Sequence, residues 1–135
     1  MIQRLQTVFL VLSAIVNGAS IFTPLAVRAM QDPQEWIGIL FMALLAVSLV
    51  LSLYAIFLYA DRRKQMHWVR LAGLSQAGSI AVGGAIAFSL GGIGTFMIQE
   101  LLSLLLLVVA AISLWQAHRL IRKDQELVDS MHRIR

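Results

Sequence analysis

Long apolar stretches separated by short polar links dominate the pattern of positions along the chain. Four such stretches occupy residues 5–22, 36–59, about 69–90 and about 96–117. Each is close in length to the roughly 20 helical residues that cross a bilayer core. They are apolar nearly all round, unlike the striped helices of soluble proteins, and they lack the alternation of membrane barrel strands. The pattern therefore predicts four transmembrane helices.

The links between the stretches are short and occupy residues 23–32, 61–66 and 91–95. Short links place sequential helices side by side in opposite directions. We therefore predict an all-α fold in which residues 1–117 form a four-transmembrane-helix antiparallel bundle. An amphipathic cytoplasmic C-terminal helical extension, residues 118–135, follows this bundle.

Two proline-containing segments suggest where helices begin and end. Pro24 is predicted to end or bend the first helix, because its ring disrupts the helical hydrogen-bond ladder. Asp32, Pro33 and Glu35 have the order of a helix start. Asp32 serves as the cap, Pro33 as the first helical residue and Glu35 as the acid three residues after the cap.

Composition supports lipid as the solvent of this chain. Hydrophobic residues make up 59% of the 135 residues and charged residues 13%, whereas soluble domains carry roughly 25% charged residues. A water-soluble fold of this length has too small an interior to bury so much apolar surface. The chain has no cysteine, which excludes disulfides and thiolate metal sites.

Basic residues are distributed unevenly around the four predicted spans. Ten of the eleven lysines and arginines lie at Arg4, in residues 61–70 or in the tail, and only Arg28 lies in a link on the other side. The positive-inside rule places the richer side in the cytoplasm. We therefore expect a multi-pass protein of the bacterial cytoplasmic (inner) membrane with cytoplasmic N- and C-termini.

The third stretch contains a row of small residues. Gly73, Ala77, Ala81 and Ala85 are spaced by four, and such rows allow helix backbones to approach closely in lipid. The row has two interpretations, which the residues alone do not separate. It packs against other helices of the same chain, or it forms a face for a partner protein or a second copy.

Few polar residues interrupt the spans. Asn17 and Gln76 are expected to form hydrogen bonds across helices, for about 0.6 kcal/mol each. Glu100 is the only acid within a predicted span. It lies near a helix start, where a carboxylate complements the helix dipole. The alternative is an ion or proton site, since ionisable groups within membranes often mark a pathway.

The tail after residue 117 changes character, because charges of both signs surround an apolar stripe. The stripe consists of Leu120, Leu127, Met131 and Ile134, and Asp124 interrupts it. Such a helix lies on the bilayer interface, or it docks a cytoplasmic partner or the 61–66 link. The mixed charge favours protein contact, since lipid-binding helices tend to be uniformly basic.

Motifs that carry catalytic or ligand chemistry are missing from the sequence. It has no nucleophile–base set, phosphate loop or nucleotide fingerprint. His67 and His118 are predicted at one membrane surface, where two histidines could ligate haem or a metal. No further ligands accompany them, so we predict no cofactor and no enzymatic activity. The basic residues are too interleaved with acids for a nucleic-acid surface.

Three segments carry a resemblance to a known family. They are residues 1–8, the Arg-Arg-Lys-Gln run at 62–65, and the tail from Ala117 to Val128 with its Arg-Ile-Arg ending. Over its whole length the chain resembles small four-helix membrane proteins of Bacteroidetes and relatives, a domain of unknown function. The resemblance implies a membrane location and a shared role for the charged ends, but no reaction. Position 118 is typically Asn in that family and position 67 is not regularly His, which argues further against haem.

Three functional hypotheses follow from these features. The first is a small non-enzymatic subunit or scaffold, bound to a membrane-protein partner or a second copy through the third helix and the tail. The second is an oligomeric transporter or channel with Glu100 at its mouth. The third is a membrane enzyme acting on lipid head groups, which requires His67, Arg70 and His118 to share a cavity.

Overall fold

The computed structural model of the chain describes residues 2–31, 35–90 and 97–134. These residues form five α-helices and no strand, which confirms the all-α prediction. The helices are α1 (Ile2–Ser20), α2 (Pro24–Gln31), α3 (Glu35–Phe57), α4 (Arg62–Leu90) and α5 (Met97–Arg133). The predicted helix start at Asp32 and Pro33 and the predicted link at 91–95 lie outside the described residues.

Two helices, joined at a bend, cover the first apolar stretch and the link that follows it. α1 ends at Ser20, α2 begins at Pro24, and their axes differ in direction by 48°. The Thr23 hydroxyl donates to the Ser20 carbonyl at 2.7 Å, and the Val27 N–H donates to the Thr23 carbonyl. Pro24 fits the first helical position because that position needs no N–H donor. It therefore starts a second helix within the predicted 23–32 link, which is not an irregular loop.

Three helices in the described part of the chain, α3, α4 and α5, are long and apolar enough to cross a membrane. The α1–α2 pair adds a fourth span when the bent pair is counted as one. The fold thus provides three or four segments that are long and apolar enough to span a membrane.

The predicted link at 61–66 is wrong for all but its first residue, because α4 begins at Arg62. Asp61 caps this helix, since its carboxylate accepts the Lys64 N–H at 3.2 Å and its carbonyl accepts the Gln65 N–H at 2.9 Å. The backbone hydrogen bond from Lys64 contributes most to lowering the pKa of the Asp61 carboxyl. The polar run Arg-Arg-Lys-Gln thus forms the first turn of α4 instead of a connecting loop.

Packing between the helices relies on two clusters of buried apolar side chains. α1 and α4 each contact both α3 and α5, and α2 contacts α3 and, to a smaller extent, α5 and α4. The cluster near α2 includes Leu25, Phe41, Leu45, Ile86 and Leu107. The cluster at the opposite end includes Leu10, Ala55, Val69, Leu114 and Ile121.

A chain of buried hydrogen bonds between the two clusters connects four helices. The Asn17 amide donates to the Ser48 hydroxyl at 3.1 Å, and this hydroxyl donates to Gln76 Oε1 at 2.9 Å. Gln76 Nε2 donates in turn to the Leu107 carbonyl at 3.0 Å. The side chains of Asn17, Ser48 and Gln76 are fully buried. The prediction that Asn17 and Gln76 form hydrogen bonds across helices is confirmed.

A close backbone approach joins α2 to α3 at Gly38. A methyl group at this position would overlap the carbonyl oxygen of Ala29, which is itself completely buried. Because the obstacle is backbone, no side-chain rotation can make room for the methyl group. The close packing of α2 against α3 thus depends on the absence of a side chain at residue 38.

We predict that Gly38→Ala lowers the free energy of unfolding in detergent by about 2 kcal/mol, the cost of overpacking a close contact. Gly84→Ala is the matched control on α4, since no heavy atom lies within 4 Å of a Cβ at that residue. The control should be neutral or slightly stabilising, because alanine is the better helix former. Thermal unfolding followed by circular dichroism measures both, and equal stability of the two variants would contradict the prediction.

Candidate functional site

The charged end of the molecule brings three segments together. Arg4 of α1 and Tyr59 in the α3–α4 turn line one groove together with Arg62 at the start of α4. Arg62 also forms an ion pair with Asp124 of α5, with Nε and Oδ2 2.6 Å apart and both side chains mostly buried. We call this end, which carries the start of α1, the α3–α4 turn and the outer part of α5, the basic end.

The Arg62–Asp124 pair explains the interruption in the apolar stripe of the tail. Asp124 interrupts the stripe because it faces α4, where the Arg62 guanidinium supplies the counter-charge. The two groups are close without the alignment of a hydrogen bond. The tail therefore contacts the 61–66 segment, one of the alternatives raised by its sequence.

Beyond Asp124, the apolar stripe of α5 is not covered by the described part of the chain. The exposed fraction is 51% for Leu127, 67% for Met131 and 87% for Ile134, whereas Leu120 is half-buried. Arg122 and Glu126 form a surface ion pair at 3.0 Å one turn away. The outer turns of α5 thus present apolar side chains without a cover from their own molecule.

Three of the four small residues in the α4 row face away from the other helices. Ala77, Ala81 and Ala85 are exposed, and no heavy atom lies within 4 Å of a Cβ at Gly73. Ala77, Ala81 and Ala85 therefore do not pack against other helices of the chain, whereas Gly73 is half-buried beside α5. The inward face of α4 instead carries buried hydrogen-bonding residues, Gln76 among them, because their donors and acceptors need partners on α3 and α5.

Glu100 lies in the first turn of α5 and is buried. Its carboxylate forms an ion pair with Arg28, which lies in the last turn of α2. Each charge thus lies at the helix end whose dipole favours it. Arg28 supplies the counter-charge that a bound cation would otherwise supply. The sequence did not reveal this ion pair, because Arg28 and Glu100 lie far apart along the chain.

A cavity of about 360 Å³ lies at the basic end between α4 and α5. It is lined by Arg63, Met66, His67, Arg70, His118 and Arg122, and we call it the basic pocket. His67, Arg70 and His118 therefore share one cavity, as the lipid head-group hypothesis requires. Burial, followed by the charges of Arg70 and Arg122, lowers the pKa of His118.

A second cavity adjoins the basic pocket on the side nearer the apolar core. It has a volume of about 270 Å³ and shares Arg70 and His118 with the basic pocket. Its other lining residues are Val69, Gly73, Ala111, Leu114 and Trp115, and we call it the apolar groove. The hydropathy pattern did not reveal this groove, because all of these residues lie on predicted spans.

A third and larger cavity, of about 610 Å³, lies along α1. Its walls are mainly apolar, and its polar end carries Arg4, Tyr59 and Arg62. Gln6 is buried in its wall, and Gln6 Nε2 has no hydrogen-bond partner among the described residues. Sequence reasoning missed Gln6, although an amide at the start of an apolar stretch was an available signal.

Across the described residues, no group of three or more histidines and acids is arranged to hold a metal ion. Comparison with known families gives one match. The family model described as "Domain of unknown function (DUF4293)" matches residues 31–134. The chain belongs to the DUF4293 family. No curated protein and no solved structure matches the chain.

The DUF4293 match begins at the last residue of α2 and covers α3, α4 and α5. Arg62, Asp124, Glu100 and all residues of the basic pocket lie inside the matched range, whereas α1 and Arg28 precede it. The resemblance to an uncharacterised family is therefore confirmed. The match itself carries no activity.

We predict that Asp124→Asn loosens the outer part of α5, because it removes the counter-charge of Arg62. Hydrogen exchange of residues 120–133 should become about fivefold faster, as expected for an ion pair worth about 1 kcal/mol. Glu126→Gln is the matched control on the same helix, since it removes the exposed pair with Arg122. The control should change exchange less than twofold, and equal effects of the two substitutions would refute the anchoring role.

Proposed function

We propose that this chain is a small non-enzymatic membrane subunit or scaffold that docks a larger membrane assembly. In this proposal the chain crosses a bacterial inner membrane four times as an antiparallel bundle. Both termini then lie in the cytoplasm, because nine of the ten lysines and arginines among the described residues lie at the basic end. Docking uses the outer part of α5 in the cytoplasm and the small-residue row of α4 in the membrane.

The observation that carries the proposal is the exposed apolar stripe on the outer part of α5. Leu127, Met131 and Ile134 project from a helix that the Arg62–Asp124 pair anchors to α4. An amphipathic helix held in a fixed direction offers apolar anchors at helical spacing, as helix-in-groove recognition uses. The mixed charges around the stripe suit a protein partner better than a lipid surface.

The outward row of small residues on α4 supports a second contact within the membrane. Ala77 and Ala81 are exposed, and their methyl side chains extend only a short distance from the backbone. Lipid-embedded helices associate through close backbone packing at such rows, because burial of apolar surface gives no advantage over lipid tails. A transmembrane helix of the partner, or a second copy of this chain, would fit this face.

The other two hypotheses find less support. For the oligomeric transporter or channel, Glu100 already has Arg28 as its counter-charge. For the enzyme acting on lipid head groups, His67, Arg70 and His118 do share a cavity. That cavity is lined by cationic, imidazole and thioether side chains, and it has no carboxylate that could orient either histidine for nucleophilic or general-base catalysis.

The orientation has its own test, because the chain lacks cysteine. We predict that Gln31→Cys, at the exposed end of α2, reacts with a membrane-impermeant maleimide added to intact cells. Ser130→Cys, exposed on the outer part of α5, should react only after the cells are permeabilised. Permeabilised cells provide the control for the reactivity of both thiols. The reverse pattern would overturn the proposed topology.

We predict that the wild-type chain, isolated from its native membrane in a mild detergent, has a mass above that of the monomer because it retains a protein partner. Leu127→Ser combined with Met131→Ser should remove most of this partner, since it deletes two apolar anchors. Gln125→Ser combined with His132→Ser is the control on other faces of the same helix. Native mass spectrometry measures the loss. Wild-type monomer alone, or equal retention by both variants, would count against docking through the stripe.

A further inference from the structure

The basic pocket concentrates positive charge without a carboxylate in its lining. Three of its six residues are arginines, two are histidines and the sixth is Met66. Arginine is suited to phosphate, because its planar guanidinium donates two parallel hydrogen bonds to phosphate oxygens. A pocket with this lining favours an oxyanion and disfavours a cation.

The carboxylates near the pocket compensate only one of its arginines. Glu126 pairs with Arg122 on the exposed side of α5. Within the described residues, no ion pair joins Arg63 or Arg70 to an acid. The pocket therefore has uncompensated positive charge.

The apolar groove continues from this charged pocket towards the centre of the predicted span. On α4 it extends from Val69 to Gly73, and on α5 from His118 back to Ala111. Gly73 leaves the groove open, because no heavy atom lies within 4 Å of a Cβ there. A cationic pocket at the surface and an apolar groove below it match the two parts of an amphiphile.

We propose that the basic pocket binds the phosphate of an anionic phospholipid and that the apolar groove holds one of its acyl chains. Basic pockets between transmembrane helices at the cytoplasmic side commonly bind lipid head groups. Trp115 lines the groove and carries Arg119 over its ring at 5.6 Å, and such amphipathic rings favour the membrane–water interface. A soluble phosphate compound has no apolar chain that could occupy the groove.

The larger cavity along α1 is the weaker lipid site. Of its two arginines, Arg62 is already paired with Asp124. In that cavity, Arg4 is then the one arginine without a carboxylate partner among the described residues. An anionic head group gains more from the basic pocket, where Arg63 and Arg70 both lack such a partner.

The experiment uses the purified full-length chain in mild detergent, titrated with dioleoylphosphatidylglycerol or dioleoylphosphatidylcholine and followed by native mass spectrometry. The anionic lipid should bind at a concentration at least about tenfold lower than the zwitterionic one. Arg63→Gln combined with Arg70→Gln should remove this preference, at roughly fivefold per arginine. Both residues are exposed, and circular dichroism verifies that the variant is folded.

Lys123→Gln combined with Arg133→Gln is the matched control, since it removes the same charge from exposed positions outside the pocket. The control should retain the preference for the anionic lipid. Equal binding of the two lipids by the wild type would overturn the proposal. Equal losses in the two double variants would do so as well, because they would indicate a general charge effect.

Two further arms separate a lipid from a free phosphate. Gly73→Leu fills the groove and should weaken phosphatidylglycerol binding about fivefold, whereas Gly84→Leu, at another open position of α4, should leave it unchanged. Excess inorganic phosphate at constant ionic strength should not displace the lipid. Displacement by phosphate, or unchanged binding by Gly73→Leu, would refute the lipid assignment.

Discussion

The buried hydrogen bonds through Ser48 and Gln76 are the constraint on which the arrangement of the helices depends. Between helices in lipid, apolar contact alone specifies little, because lipid tails are as apolar as leucine. A misaligned helix pair would leave the Gln76 amide without partners in an apolar interior, which is costly. The bonds from α1 to the Leu107 carbonyl therefore align four helices at one level. That alignment brings Arg62 opposite Asp124 at one end and Arg28 opposite Glu100 at the other.

Much of the fold was predictable because a lipid environment permits few backbone structures. An apolar stretch long enough to cross a bilayer must satisfy its own backbone, so helices followed directly from the pattern. The predictions were wrong or incomplete where the same residues suit two different local structures. Pro24 was predicted to end or bend the first helix, and the chain does bend by 48° there, but the second helix that begins at Pro24 was not predicted. The Arg-Arg-Lys-Gln run suits a loop or a solvated helical turn, and only the Asp61 cap distinguishes them.

The candidate site was less predictable, because it depends on which faces meet. Small residues spaced by four indicate a face that another helix can approach closely, but they do not say whether that helix belongs to the same chain. The hydrogen bonds of Gln76 turn its face of α4 towards α3 and α5, which leaves Ala77 and Ala81 on the outside. Asp124 was the informative anomaly in the tail, since a charge in an apolar stripe requires a partner. The charge distribution predicted a basic end, yet it did not reveal that Arg63, Arg70 and His118 would surround one cavity.

The length of α5 has a mechanical consequence. Its 37 residues run from Met97 to Arg133 as one helix, and this segment contains neither glycine nor proline, so it has no built-in hinge. At 1.5 Å per residue, Met131 lies about 20 Å along the axis from His118. The outer turns therefore act as a rigid spacer. A protein bound to the outer turns would be held at a fixed distance from the basic pocket, and a sideways force on it would become a torque on the buried part of the same helix.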